Sequence, residues 1–226
     1  MRAVLFDKDG TLMQFSPFWV PVADRAFSSL AARLGAPQRA AALKEAVGLK
    51  DGSVRNGGVL CAGTYAQMAL VVRRLFPERG AQIAAEEMKA LFLEFAGEGE
   101  VVPTCKNLRE MLISLRRSGL LLFAVTTDFP EITRLCLAGL QIFELFEEVY
   151  CDDGVHPAKP DPAVIREIAE KYGFSPREMC MVGDTATDIA FARAGGIRSI
   201  CVGSVAGADD YLDDVSALPA LLNAAL

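Results

Sequence analysis

Histidine is almost missing from this chain: His156 is the only one in 226 residues. The six cysteines stand apart, at positions 61, 105, 136, 151, 180 and 201, without a C-x-x-C pair. A tetrahedral zinc site therefore lacks its ligands, and the cysteines are expected to be separate thiols in a reducing cytoplasm. Cys180 and Cys201 fall in apolar runs and read as buried structural thiols. Positive charge is also short. Against 29 Asp and Glu there are 23 Lys and Arg, a formal charge of -6, so the basic excess that a phosphate backbone requires is absent and nucleic acid is not an expected partner. Long apolar runs are missing too, since nothing reaches the ~18 residues of a membrane span. The apolar start at residues 3–6 meets Asp7 too early for a secretory signal, and no membrane partner is expected.

What is present suits a compact globular protein: 52% hydrophobic residues, 23% charged, with 19 Gly and 11 Pro. The length suggests one core fold carrying a sizeable insertion. Short apolar runs bounded by turn signals at residues 3–6, 120–125, 148–151, 179–182 and 198–202 read as buried strands. Between them lie helical patterns. Leu108, Met111, Leu112 and Leu115 share one face, with Gly119 as a stop. Asp161 can cap a helix with Pro162 at its first position and a stripe of Val164, Ile165, Ile168, Ala169 and Tyr172, ending at Gly173. Alternating apolar strands and helices predict an α/β fold, a Rossmann-like parallel sheet with helices on both faces.

Residues 14–99 break that rhythm. They are rich in Ala, Leu, Arg and Glu at helical spacing, with helical patterns at 23–34 and 64–76 and no convincing strand. The expected organisation is a catalytic core of residues 1–13 and 100–226, with an α-helical cap of residues 14–99 inserted in it. Within the insertion, residues 48–63 gather glycines around Val54, Arg55 and Asn56.

The first strand ends in Phe6-Asp7-Lys8-Asp9-Gly10-Thr11, which puts two carboxylates where a parallel strand leaves its sheet. Residues two apart share a direction while the strand persists, and Gly10 permits a sharp departure. An Asp-Gly turn after a buried strand is common without any chemistry. Other strand ends, however, carry complementary groups: Thr126, then Lys159, then Asp184. In an open α/β sheet such ends form one ligand crevice.

In this order and spacing, Asp7-Lys8-Asp9-Gly10-Thr11 resembles the first motif of the haloacid dehalogenase superfamily of phosphohydrolases. Val125-Thr126 resembles its second motif, Lys159-Pro160 its third, and Gly183-Asp184 with Asp188 its fourth. The insertion resembles the family's helical cap of the first type. The resemblance implies Asp7 as nucleophile, Asp9 as general acid and base, Thr126 and Lys159 as phosphate binders and Asp184 as magnesium ligand. Asp188, Gly10, Thr11 and Gly183 support them, and Thr127 stands beside the substrate. Arg55 and Asn56 on the cap are candidate substrate readers, against an equally weighted reading as an exposed turn. Three positions depart from the usual pattern: Thr127 where many relatives carry Asn, Asp128 where a neutral or basic residue is common, and Gln14 where many carry Asp.

Physical chemistry supports the same set. Gathering Asp7, Asp9, Asp184 and Asp188 is costly unless a divalent cation neutralises them. Hard oxygen ligands suit Mg2+, held by Asp7, Asp184 and the backbone carbonyl of Asp9. The expected activity is hydrolysis of small-molecule phosphate esters through an aspartyl phosphate, as in the phosphoglycolate phosphatases that the chain resembles, by a monomer or homodimer. A sugar-phosphate mutase resembling β-phosphoglucomutase is the alternative within the family, because the same intermediate can pass to a sugar hydroxyl. A receiver-like phosphoacceptor is the alternative of another class, disfavoured by Asp9 and by the insertion. His156, in a loop with Pro and Gly, is expected to be solvent-exposed rather than catalytic.

Overall fold

The computed structural model describes residues 1–55 and 57–223 and divides into two compact units, Met1–Gln14 with Val101–Leu226, and Phe15–Glu100. The chain enters the first unit with β1 (Ala3–Phe6) and then forms the second unit: α1 (Phe15–Arg33), α2 (Ala40–Val47), β2 (Leu49–Lys50), β3 (Ser53–Val54), α3 (Val59–Ala62), α4 (Tyr65–Leu75) and α5 (Ala85–Glu94). It returns to the first unit with α6 (Leu108–Arg117), β4 (Leu121–Val125), α7 (Pro130–Gly139), β5 (Glu148–Tyr150) and α8 (Ala163–Tyr172). β6 (Met179–Gly183), α9 (Ala186–Gly195), β7 (Arg198–Val202), β8 (Asp210–Leu212) and α10 (Leu218–Asn223) complete it.

The sheet of the first unit is wholly parallel, in the order β5-β4-β1-β6-β7-β8. Side chains alternate across a strand, and β1 shows the result. Val4 and Phe6 face a core shared with Leu112, Leu115 and Leu137 of α6 and α7. Ala3 and Leu5 face a second core with Ile165 and Ile168 of α8 and Phe191 of α9. Both faces of the sheet are covered, which is why its strands read as unbroken apolar runs. After β5 the chain crosses back past β1 to form β6. The strand order thus reverses around β1, the position at which a doubly wound sheet opens a crevice at its strand ends.

The second unit packs around Phe92 of α5, whose ring meets Trp19 and Phe27 of α1 and Tyr65 of α4 at centroid separations of 6.0, 5.4 and 5.7 Å. Helix α1 begins at Phe15, earlier than the helical pattern at 23–34 suggests, and contains Pro21. Proline has no N–H to donate to the carbonyl four residues back. That carbonyl, of Pro17, accepts instead from the Glu100 N–H at 3.1 Å. The sequence reading of this segment as strandless is corrected: β2 and β3 pair antiparallel around a turn at Asp51 and Gly52, both at positive φ. Two-residue strands are too short to leave a periodic signal.

Two details differ in the first unit. β8 carries a polar start and an exposed tyrosine, so it gives no apolar run to read. Helix α8 starts one residue after Pro162, with Asp161 Oδ1 accepting from the Ala163 N–H at 2.9 Å. Among the described residues no helix is long and apolar enough to cross a membrane.

Candidate active site

The C-terminal end of β1 carries Asp7, whose N–H still donates to the Val182 carbonyl of β6 at 2.9 Å. The chain then folds back on itself. The Leu12 and Met13 N–H groups both donate to the Lys8 carbonyl, and the Gly10 N–H donates to the Met13 carbonyl at 2.7 Å. Gly10 sits at φ 81°, a region that side chains disfavour, and a Cβ there would fall 2.1 Å from Asp184 Oδ2. Conformation and close approach both demand glycine. At Gly183 only the second reason holds, since a Cβ would meet the Asp188 carboxylate carbon at 2.4 Å.

Asp184 follows β6 and accepts from the Thr11 hydroxyl at 3.3 Å. Asp188 lies in the first turn of α9. Thr185 is the N-cap there, its hydroxyl accepting from the Asp188 N–H while Asp188 Oδ2 accepts from the Thr185 N–H at 3.1 Å and from its hydroxyl at 2.5 Å. This reciprocal capping box fixes the Asp188 carboxylate. Its other oxygen, Oδ1, accepts from Lys159 Nζ at 2.6 Å, and the same ammonium donates to Asp7 Oδ1 at 2.6 Å. The Lys159 side chain is only 4% exposed, so both ion pairs are shielded from water.

Lys159 reaches the site from the loop between β5 and α8, which is braced by side chains. Asp153 Oδ1 accepts from the Val155 and His156 N–H groups at 2.8 and 3.1 Å. The His156 ring lies between Asp153 and Glu167, 3.1 Å from each carboxylate. Expected to be solvent-exposed, His156 is half-buried at 23%. Asp153 is a neighbour in the same loop, but Glu167 comes from α8, and local sequence composition could not reveal that it closes on the ring.

Carboxylate oxygens of Asp7, Asp184 and Asp188 lie within 4.8 Å of one another. Burial lifts the Asp7 carboxyl well above the ordinary carboxylate range; Lys159 pulls it back, while Asp188, Asp184 and Asp9 push it further up. Burial first and Asp188 second raise Asp184 to about 7. Burial opposes the charge on Lys159, but Asp7 and Asp188 more than offset it and hold the ammonium above its usual range. Three carboxylates against one ammonium leave two negative charges uncompensated, and hard oxygen donors of that net charge fit one divalent cation.

Thr126 follows β4, buried, and its hydroxyl accepts from the Asp128 N–H at 3.3 Å, which leaves its own hydrogen available to donate. Thr127 beside it is exposed. The Asp9 carboxylate does not join the three-aspartate cluster but lies 2.7 Å from Lys8 Nζ. Arg55 is exposed in the second unit, where its N–H donates to the Gly48 carbonyl at 2.8 Å. Asn56 lies outside the described residues. Sequence reasoning missed Lys8, Thr185 and the place of Asp128 in the site. A lysine between two strand-end aspartates, facing the other way, was the available signal, because burial there requires an anion such as Asp128.

Residues 1–196 match the family model of the haloacid dehalogenase-like hydrolases. The chain is 31% identical over 235 residues to the plasmid phosphoglycolate phosphatase of Cupriavidus necator, across 99% of this chain and 94% of that protein. It is 30% identical over 199 residues to the phosphoglycolate phosphatase of Vibrio cholerae, across 88% of this chain and 83% of that one. In fold it is similar to the crystal structure of a HAD-superfamily hydrolase of subfamily IA, variant 1, from Geobacter sulfurreducens, with a TM-score of 0.69 at 21% identity over 98% of this chain and 96% of that one.

Proposed function

The chain belongs to the haloacid dehalogenase-like hydrolase family, and from that premise we propose that it hydrolyses small phosphomonoesters through a phosphorylated Asp7, with 2-phosphoglycolate the first candidate substrate. The observation that carries this reading is the buried contact of Lys159 with both Asp7 and Asp188 at 2.6 Å. An ammonium so placed can hold a phosphoryl oxygen beside the carboxylate that attacks phosphorus.

The Asp7 carboxylate attacks in line, forming the aspartyl phosphate as the bond to the ester oxygen breaks. Asp9 gives its proton to the departing alkoxide. It then takes a proton from the water that attacks the intermediate, which releases inorganic phosphate and restores Asp7. The Thr126 hydroxyl and the Lys159 ammonium bind the transferring oxygens. A magnesium ion, when held by Asp7, Asp184 and the backbone carbonyl of Asp9 with Asp188 in support, supplies the positive charge that lets an anionic ester approach an anionic nucleophile. Because the Asp9 carboxylate is turned to Lys8, its contribution to the ion is assigned to the backbone alone.

Residues 14–99 are proposed as the cap, with Arg55 and Asn56 in its Gly-rich stretch as the residues that read the non-phosphate end of the ester. The spacing of the cysteines, without a C-x-x-C pair, supports a reducing cytoplasm as the place of action, and monomer or homodimer remains the proposed state. A phosphate-release screen with magnesium over metabolite phosphates, including 2-phosphoglycolate and nucleoside monophosphates, tests the function. Release from at least one small phosphomonoester, lost in Asp7→Asn, is the expected outcome. Magnesium-supported release that survives in a folded Asp7→Asn variant would overturn it.

A further inference from the structure

The side chain of Asp9 is held from outside its own loop. Lys8, whose side chain is 1% exposed, places Nζ 2.7 Å from Asp9 Oδ2 and 2.8 Å from Asp128 Oδ2, and donates to Met13 Sδ at 3.6 Å. Nζ thus donates to Met13 and pairs with the Asp9 and Asp128 carboxylates, while Asp128 Oδ2 is buried without a hydrogen bond and meets the ammonium as an ion pair. Two of these partners belong to the loop that follows β1. The third comes from the loop after β4, which pairs in parallel with β1.

Charge counting isolates the role of Asp128. A buried lysine needs one anion for neutrality, and Asp9 cannot supply it while it carries the proton destined for the alkoxide. Asp128 supplies that anion and so keeps Lys8 paired in both protonation states of Asp9. Its backbone is equally fixed: the Asp128 N–H donates to Thr126 Oγ1, and its carbonyl accepts from the Asp152 N–H at 2.7 Å. Asp128 is therefore a post fixed at its backbone in the loop after β4, and Lys8 is the strut between that post and Asp9.

We propose that Lys8 and Asp128 are positioning residues that aim the Asp9 carboxylate at the ester oxygen beside Asp7. The inference rests on the reading of Asp9 as the group that protonates the leaving alkoxide. Neither residue touches substrate; each acts through Asp9. Proton transfer requires heavy-atom separations of about 2.6–3.2 Å, so a strut that holds Asp9 to a few tenths of an ångström governs that step and leaves nucleophilic attack by Asp7 largely alone.

The test is kcat/KM, which ends at departure of the alcohol, on two esters: an alkyl phosphate, whose alkoxide needs a proton, and 4-nitrophenyl phosphate, whose phenolate does not. Asp128→Asn keeps the shape and removes the charge. A loss of about tenfold or more on the alkyl ester, with less than about threefold on the aryl ester, is expected. Equal losses on both esters, or none, overturn the proposal. Should the Asn variant not fold, Asp128→Glu keeps the charge but displaces the post, with the same selective loss expected and the same overturning results. Asp9→Asn is measured in parallel. If it shows no leaving-group selectivity, the acid role of Asp9 fails and takes the inference with it. Selectivity in Asp9→Asn without selectivity at Asp128 overturns the positioning role alone.

Discussion

Lys159 and Asp7 stand 152 positions apart in sequence, yet the lysine ammonium lies 2.6 Å from Asp7 Oδ1. The same ammonium holds Asp188 at 2.6 Å, so one buried cation organises two of the three clustered carboxylates. Lys159→Met removes that charge and leaves the aspartates to repel one another. A fall in kcat/KM of about 10²- to 10³-fold is expected, with a loss of stability of about 3 kcal/mol in metal-free protein because a buried pair is broken from one side. Steady-state kinetics and urea unfolding check the two parts separately.

The metal-free protein should lose stability as pH rises toward neutrality. Asp184 has an ordinary value of 3.8 and is pushed up to about 7 in the fold, chiefly by burial. Asp128 is likewise pushed up to about 7, and Asp7 is raised well above its ordinary value. A carboxyl raised in the folded state binds its proton more tightly there than in the unfolded chain. Its contribution is therefore complete below about pH 4 and is lost as pH climbs through about 7. A divalent cation binds the deprotonated form, so its stabilisation runs the other way. Melting temperatures from about pH 5 to pH 8 should fall without magnesium, and the rise on adding magnesium should grow across the same window.

Gly10→Ala places a methyl at a φ of 81° and within 2.1 Å of Asp184 Oδ2. Either consequence displaces the cluster. The variant should be destabilised by more than about 2 kcal/mol and should bind magnesium more weakly, which calorimetry reads. A glycine at this place that served only a turn would leave magnesium affinity unchanged.

Thr185→Ala removes both hydroxyl contacts of the α9 capping box. A stability loss of about 1 kcal/mol is expected from the cap alone. Because the hydroxyl also holds Asp188, kcat should drop several-fold beyond what thermal unfolding at the assay temperature explains. Thr185→Ser, which keeps the hydroxyl, should restore it.

The sheet was legible because strands buried on both faces are apolar throughout, and the strand-end aspartates because such a crevice is where α/β folds collect polar groups. The β2–β3 hairpin and β8 were not legible: two- and three-residue strands with exposed positions carry no period. In the site, Asp7, Lys159 and Asp184 could be named from their places after successive strands. The weight of Asp188 could not, since its two oxygens are claimed by Thr185 beside it and by Lys159 from a different loop. Lys8 was hidden for a related reason. Its burial depends on Asp128, brought alongside only by the pairing of β1 with β4.

The proposed mechanism depends on Asp7 carrying the phosphoryl group. The most direct measurement is intact-protein and peptide mass spectrometry of enzyme quenched in acid during turnover of a phosphomonoester with magnesium. One added phosphoryl group is expected on Asp7, stable in acid and lost on treatment with hydroxylamine, and none in Asp7→Asn. Turnover by an enzyme that is never phosphorylated, or a phosphoryl group on another residue, would contradict it.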